Sequence, residues 1–121
     1  MKAISIKQPW LALIMSGEKT LEIRSWRTNV RGDVLLCASV APKILDLPTG
    51  QALCIATIIN CRQFLPDDAK KSCCDYSPGL FAWELSNIRP IAPFQVKGKL
   101  NFYQVELPPG LQIYDHQHID Q

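Results

Sequence analysis

About six stretches of this 121-residue chain carry strand patterning, and the one or two with helical patterning are short. A parallel sheet built from βαβ units would need crossover helices that this sequence does not supply. Lys2 to Lys7 alternates, with Ile4 and Ile6 on one side and Ala3, Ser5 and Lys7 on the other, which is the period of a half-buried strand. Thr20 to Trp26 alternates again, placing Glu22, Arg24 and Trp26 opposite Leu21, Ile23 and Ser25. Val34 to Val40 is nearly continuous in apolar residues, as a buried strand would be. Ala52 to Phe64 reads as a long strand, Phe81 to Leu85 as a shorter one, and Phe102 to Leu107 as the last. Pro90 and Pro93 should interrupt the sheet, because proline cannot donate to a ladder. The pattern predicts a mainly β (α+β) domain, a mixed β-barrel of about six strands with one or two short helices.

The first helix is expected over residues 9 to 16. Pro9 suits a first helical turn, where its missing N–H costs nothing, and Gly17 stands where a left-handed cap would fall. A second short helix fits Pro66 to Cys74, opened by proline and the pair Asp67 and Asp68. Residues 41 to 50 read as a loop that has room for one helical turn. Pro108-Pro109-Gly110 closes the pattern, giving one domain over residues 1 to 108 and a loose polar tail over 109 to 121. A chain this long buries roughly two-thirds of its unfolded surface and needs no disulfide or metal to hold it.

Five cysteines cannot all pair. Cys37, Cys54 and Cys61 sit in apolar strand-like segments as small hydrophobes, while Cys73 and Cys74 are adjacent, which is poor geometry for a disulfide. No Cys-x-x-Cys spacing occurs, and His116 and His118 lie in the tail, so neither a metal nor a cofactor is expected. The N-terminus enters a patterned segment at once, and no apolar run approaches a membrane span of about 20 residues. The expectation is a cytoplasmic protein without membrane contact. The formal charge of +2 is small, but its distribution is uneven. Residues 1 to 43 carry Lys2, Lys7, Lys19, Arg24, Arg27, Arg31 and Lys43 against Glu18, Glu22 and Asp33. The positive field belongs to the N-terminal third.

The densest run of chemistry-bearing residues is Gln8-Pro9-Trp10, then Gly17-Glu18-Lys19-Thr20-Leu21-Glu22-Ile23-Arg24-Ser25-Trp26-Arg27-Thr28, then Arg31-Gly32. This stretch resembles the ASCH domain, whose hallmark is a Gln-Pro-Trp helix start, Gly-x-Lys-x-x-Glu-x-Arg, Ser-Trp-x-Thr, and Arg-Gly before a strand. The resemblance continues through Pro90 and Lys97-Gly98-Lys99-Leu100, covering most of residues 2 to 107. It implies a PUA-like barrel with a cleft beside the first helix and a role in binding RNA or another nucleic acid. Some relatives are described as enzymes, an acetylcytidine amidohydrolase branch and proposed ribonucleases among them. In the amidohydrolase branch the motif uses a lysine and, three residues on, a threonine nucleophile. Lys19 matches the lysine, but Glu22 stands where the threonine would be.

The residues themselves support a similar reading. Lys19, Arg24, Arg27 and Arg31 fall within thirteen residues, enough charge for one or two phosphates. Trp10 and Trp26 offer flat faces, and stacking a base on an aromatic contributes roughly 1–3 kcal/mol. Glu22 and Arg24 share a strand face, so an ion pair is natural there, and in a dry cleft Glu22 could accept from an exocyclic amine of a base. The competing readings are a solvated face for the arginines, core packing for Trp83 and Trp26, and a structural salt bridge for Glu22 and Arg24. Lys19 meets Glu22 only if it still belongs to the loop after Gly17. Tyr76, Ser77, Trp83 and Glu84 form a second candidate set, with Glu84 a base if it meets Lys19. The ligand-binding set is therefore Gln8, Trp10, Lys19, Glu22, Arg24, Trp26, Arg27, Arg31 and Trp83, with RNA or a nucleotide as partner and DNA as a further possibility. Lys19 and Glu22 would be the catalytic pair if the domain were a hydrolase. A protein-interaction module without nucleic acid is the third reading.

Overall fold

The computed structural model of the protein describes residues 1–114. In chain order the elements are β1 (Lys2–Ile6), α1 (Trp10–Ser16), β2 (Leu21–Arg24), β3 (Gly32–Ala38), β4 (Gln51–Gln63), a 3₁₀ turn (Pro66–Asp68) running into α2 (Ala69–Ser72), β5 (Phe81–Gln95) and β6 (Tyr103–Gln104). The strands form one six-stranded sheet ordered β2-β5-β4-β3-β1-β6. β1 and β3 run parallel and the other pairs are antiparallel, so the sheet is mixed.

The expected barrel does not close. Among the described residues no ladder joins the edge strands β2 and β6. The reason is the brevity of β6, which pairs only with Lys2 and Ala3 of β1 and leaves the far half of β1 without a strand on that side. A side chain spans the gap instead: Arg24 on β2 donates from Nη2 to the carbonyl oxygen of Ser5 on β1, 2.8 Å away.

Successive side chains of a strand point to opposite faces, and here both faces are covered. Ile4 and Ile6 of β1, Val34 and Leu36 of β3, and Ala56 and Ile58 of β4 build one core with Leu11 and Ile14 of α1 and Trp83 of β5. Ala3, Leu35, Cys37, Ala52, Ile55, Ile91 and Tyr103 build a second on the reverse face. That two-sided burial explains the unbroken apolar run at residues 34 to 38. Cys37 and Cys54 lie in these cores as free thiols, and burial pushes Cys54 up to about 12.

Three expectations about strand ends change. β5 is one strand through Pro90 and Pro93, because the prolines fall where the ladder is already irregular. Between the pairs Ala52–Phe94 and Cys54–Pro90, β4 advances two residues and β5 four, so Pro93 lies inside a bulge and Pro90 at its edge. The last strand is only two residues long. Part of the segment read as a loose tail is pinned along β5: the N–H of Ala92 donates to Gln112, the N–H of Tyr114 donates to Pro90, and Leu111 packs on the second core. His116 and His118 lie outside the described residues. No helix among the described residues is long and apolar enough to cross a membrane.

One ion-pair network fixes the α2 segment. Arg62 of β4 reaches Asp68 with both guanidinium nitrogens, at 2.7 and 3.0 Å, and Glu84 of β5 at 2.6 Å. The Arg62 hydrogen bond holds the Asp68 carboxyl below its ordinary 3.8, with a further contribution from the N–H of Leu65 and against the opposing effect of burial. A carboxyl depressed in the folded state stabilises that state above its unfolded value, and the contribution fades as pH falls through the folded one. Urea midpoints of the wild type and Asp68→Asn should therefore differ most near neutral pH and converge below about pH 3.8. An undiminished difference in acid would mean that shape rather than charge holds the segment.

Candidate ligand-binding cleft

The helix α1 ends at Gly17, whose φ of 88° turns the chain out of the helix in a conformation that side chains disfavour. Lys19 then lies in the loop before β2, as the meeting with Glu22 requires. Its backbone N–H donates to Leu13, and the next N–H, that of Thr20, donates to Lys71 of α2. These bonds aim the Lys19 side chain inward. It is 3% exposed, donates from Nζ to the carbonyl oxygen of Ser72 at 2.6 Å, and lies 3.7 Å from Oε1 of Glu22. Its ammonium also rests 5.4 Å from the centre of the Trp10 ring.

Strand alternation on β2 presents Glu22 and Arg24 on the same side. Arg24 donates from Nε to Oε2 of Glu22 at 2.9 Å while its Nη2 holds Ser5. Glu22 is 7% exposed. Among the described residues Oε1 makes no hydrogen bond, its nearest cation being Lys19 at 3.7 Å. Yet no buried side-chain oxygen among the described residues lacks a partner, so Oε1 opens to the cleft.

The concavity these groups share has a volume of about 1020 Å³ and occupies the gap between β1 and β2. Ile4, Ile6 and Ile23 give it apolar lining, joined by Trp10 and by the loop Val96 to Asn101. Gly98 lets that loop press onto β1: a Cβ there would stand 3.0 Å from Oγ of Ser5. Five cationic side chains line the cleft (Lys7, Lys19, Arg24, Lys97 and Lys99) against one carboxylate, that of Glu22. Like-signed charges around a low-dielectric hollow focus a field that raises the local concentration of anions.

Four of the nine sequence candidates, Trp10, Lys19, Glu22 and Arg24, converge on this cleft. The others lie elsewhere. Gln8 is 1% exposed, accepting from the N–H of Ala12 and donating to Pro48, so it anchors the helix start. Trp26 does not line the cleft. Its ring stands perpendicular to those of Trp83, 4.8 Å away between centres, and Phe102, 5.8 Å away, packed on the first core. Trp83 is 1% exposed and donates from Nε1 to the carbonyl oxygen of Trp26. Arg27 lies over the ring of Phe81, 4.8 Å from its centre, and Arg31 caps its own turn by donating to Thr28 and Val30. Their local partners are what draw them off the cleft. Glu84 does not meet Lys19, since Arg62 engages it, and Tyr76 packs on Phe64.

Sequence reasoning on charge missed the rim. Lys7 was visible as the outward end of β1, and Lys97 and Lys99 as part of the family resemblance, but nothing local said that the last loop folds back over the first strand. Cys74 also lines the cleft, its thiol 3.2 Å from the Ser72 hydroxyl. Among the described residues, no group of three His, Cys, Asp or Glu side chains is placed to hold a metal ion.

A sequence model of the ASCH domain matches residues 4–95. The fold is similar to the crystal structure of ASCH from Zymomonas mobilis, with a TM-score of 0.67 at 14% identity, covering 87% of each chain. A mutant of that same protein superposes with a TM-score of 0.66 at 14% identity, covering 87% of this chain and 89% of the other. At that identity the likeness shows the fold alone. No curated protein sequence matches.

Proposed function

This chain belongs to the ASCH domain family, and on that footing we propose that it binds RNA or a nucleotide in the cleft between β1 and β2. The observation that carries the reading is the charge of the cleft, five cations around a single carboxylate. Lys7, Lys97 and Lys99 are exposed at the mouth, where phosphates can approach without being stripped of water. The lower part is different in kind: buried Lys19 and Glu22, half-buried Arg24 and the Trp10 indole suit a base rather than a phosphate. The family's general association with RNA binding agrees with this division.

Hydrolysis of a modified nucleoside is less well supported. Lys19 stands at the matching position, but Glu22 replaces the hydroxyl nucleophile, and its Oε2 is held by Arg24. Binding is the reading we carry.

Titration of a labelled single-stranded RNA at two salt concentrations tests it. Affinity should fall steeply with salt, and each of Lys97→Ala and Lys99→Ala should weaken binding across sequences and lower the salt slope by about 1. Absence of salt-sensitive binding at low ionic strength would remove the reading.

A further inference from the structure

Glu22 holds an acceptor that no other group among the described residues uses. Oε2 is taken by Arg24, whereas Oε1 has no hydrogen bond and faces the cleft from a residue only 7% exposed. Lys19 and Arg24 already balance its charge, so a third cation gains little there. A neutral N–H donor completes the carboxylate's hydrogen bonding without adding charge.

Depth sets the second condition. Glu22 is buried while Lys7, Lys97 and Lys99 are exposed, so a group that meets Oε1 lies deeper than the lysines, among the apolar lining of Ile4, Ile6 and Ile23. In a duplex the pairing edge of a base is occupied and cannot reach that depth, whereas an unpaired base can. The mouth supplies a third condition. Val40 is 65% exposed and Leu100 is 92% exposed, and both line the cleft. A lone exposed leucine is ordinary, but two apolar lips on a lysine rim match the alternation of phosphate and base or sugar along a single strand.

We propose that the cleft takes an unpaired nucleotide whose base carries an exocyclic amino group, the amine donating to Oε1 of Glu22. This rests on the nucleic-acid reading above and narrows it to cytosine, adenine or guanine. In the pose that brings cytosine N4 to Oε1, uracil presents O4 and keeps only N3–H as a donor, so it should bind more weakly.

The test is fluorescence anisotropy of the full chain with labelled short ribo-oligomers of cytidine, adenosine and uridine, and with a duplex of the same length. The expected result is that oligo-C or oligo-A binds about tenfold more tightly than oligo-U, with the duplex also weaker. Glu22→Gln keeps an acceptor and adds N–H donors, so it should level the preference or move it toward uridine. Equal affinity for all three homopolymers, or duplex binding as tight as single-strand binding, overturns the assignment while leaving salt-sensitive nucleic-acid binding in place. Failure of every oligomer to bind removes both. If Glu22→Gln melts too low to be assayed, the wild-type comparison alone decides.

Discussion

Replacing Trp83 by alanine is expected to cost about 3–5 kcal/mol of folding stability, read as a shift in the urea midpoint. Marginal domains hold only about 5–15 kcal/mol in total, so the variant should be largely unfolded well below the wild-type transition. The size follows from what the indole touches. Trp83 stacks on Phe102 with centroids 5.5 Å apart, meets Trp26 in a perpendicular pair at 4.8 Å, and lies 5.7 Å beneath the guanidinium of Arg24. Those neighbours belong to β2, to the loop after it and to the segment before β6. A cavity at this position therefore loosens both sides of the gap in which the cleft sits. Trp83→Phe should cost distinctly less, because a ring still fills most of the volume and only the donation from Nε1 to Trp26 is lost. If alanine and phenylalanine cost the same, the indole N–H rather than packing carries the effect. A Trp83→Ala variant as stable as the wild type would contradict the core position outright.

Period-two alternation makes the strands legible, and it also puts Glu22 and Arg24 on one strand face. The helix was legible for the same kind of reason, since Pro9 and Gly17 have conformational preferences that act locally. What sequence patterning could not reach were facts that depend on distant partners. β5 continues through two prolines because its register against β4 slips there, which is a property of the pair. Arg27 and Arg31 looked like Arg24 in composition and spacing, yet Phe81 and the turn at Thr28 claim them. Trp26 is drawn into the core by Trp83 and Phe102, fifty-seven and seventy-six residues away in the chain. Lys97 and Lys99 join the cleft only because Gly98 allows the last loop to lie against Ser5. Closure of the barrel failed at β6, whose two paired residues are too few to cover β1.

The pair Lys19 and Glu22 should show strong thermodynamic coupling. Their side chains are 3% and 9% exposed, so the attraction is little screened and is unlike a surface pair worth about 0–1 kcal/mol. Lys19→Met leaves Glu22 with Arg24 alone and strips the Ser72 carbonyl of its donor, at a cost of about 3 kcal/mol. Glu22→Gln leaves the Lys19 ammonium facing Ser72 without its counter-charge, at a cost of about 2 kcal/mol. In the double variant neither charge is stranded, so its cost should fall short of the sum by about 0.5–3 kcal/mol. Additive costs would mean that Ser72 and Arg24 hold the two groups independently and that the 3.7 Å separation carries no energy of its own. The double variant also separates stability from recognition. It keeps Arg24 and the three rim lysines, so RNA binding that remains salt-sensitive but no longer distinguishes cytidine from uridine would assign phosphate attraction to the mouth and base choice to the floor. Loss of all binding in a folded double variant would instead place the anion beside Lys19, and the division between mouth and floor would be wrong.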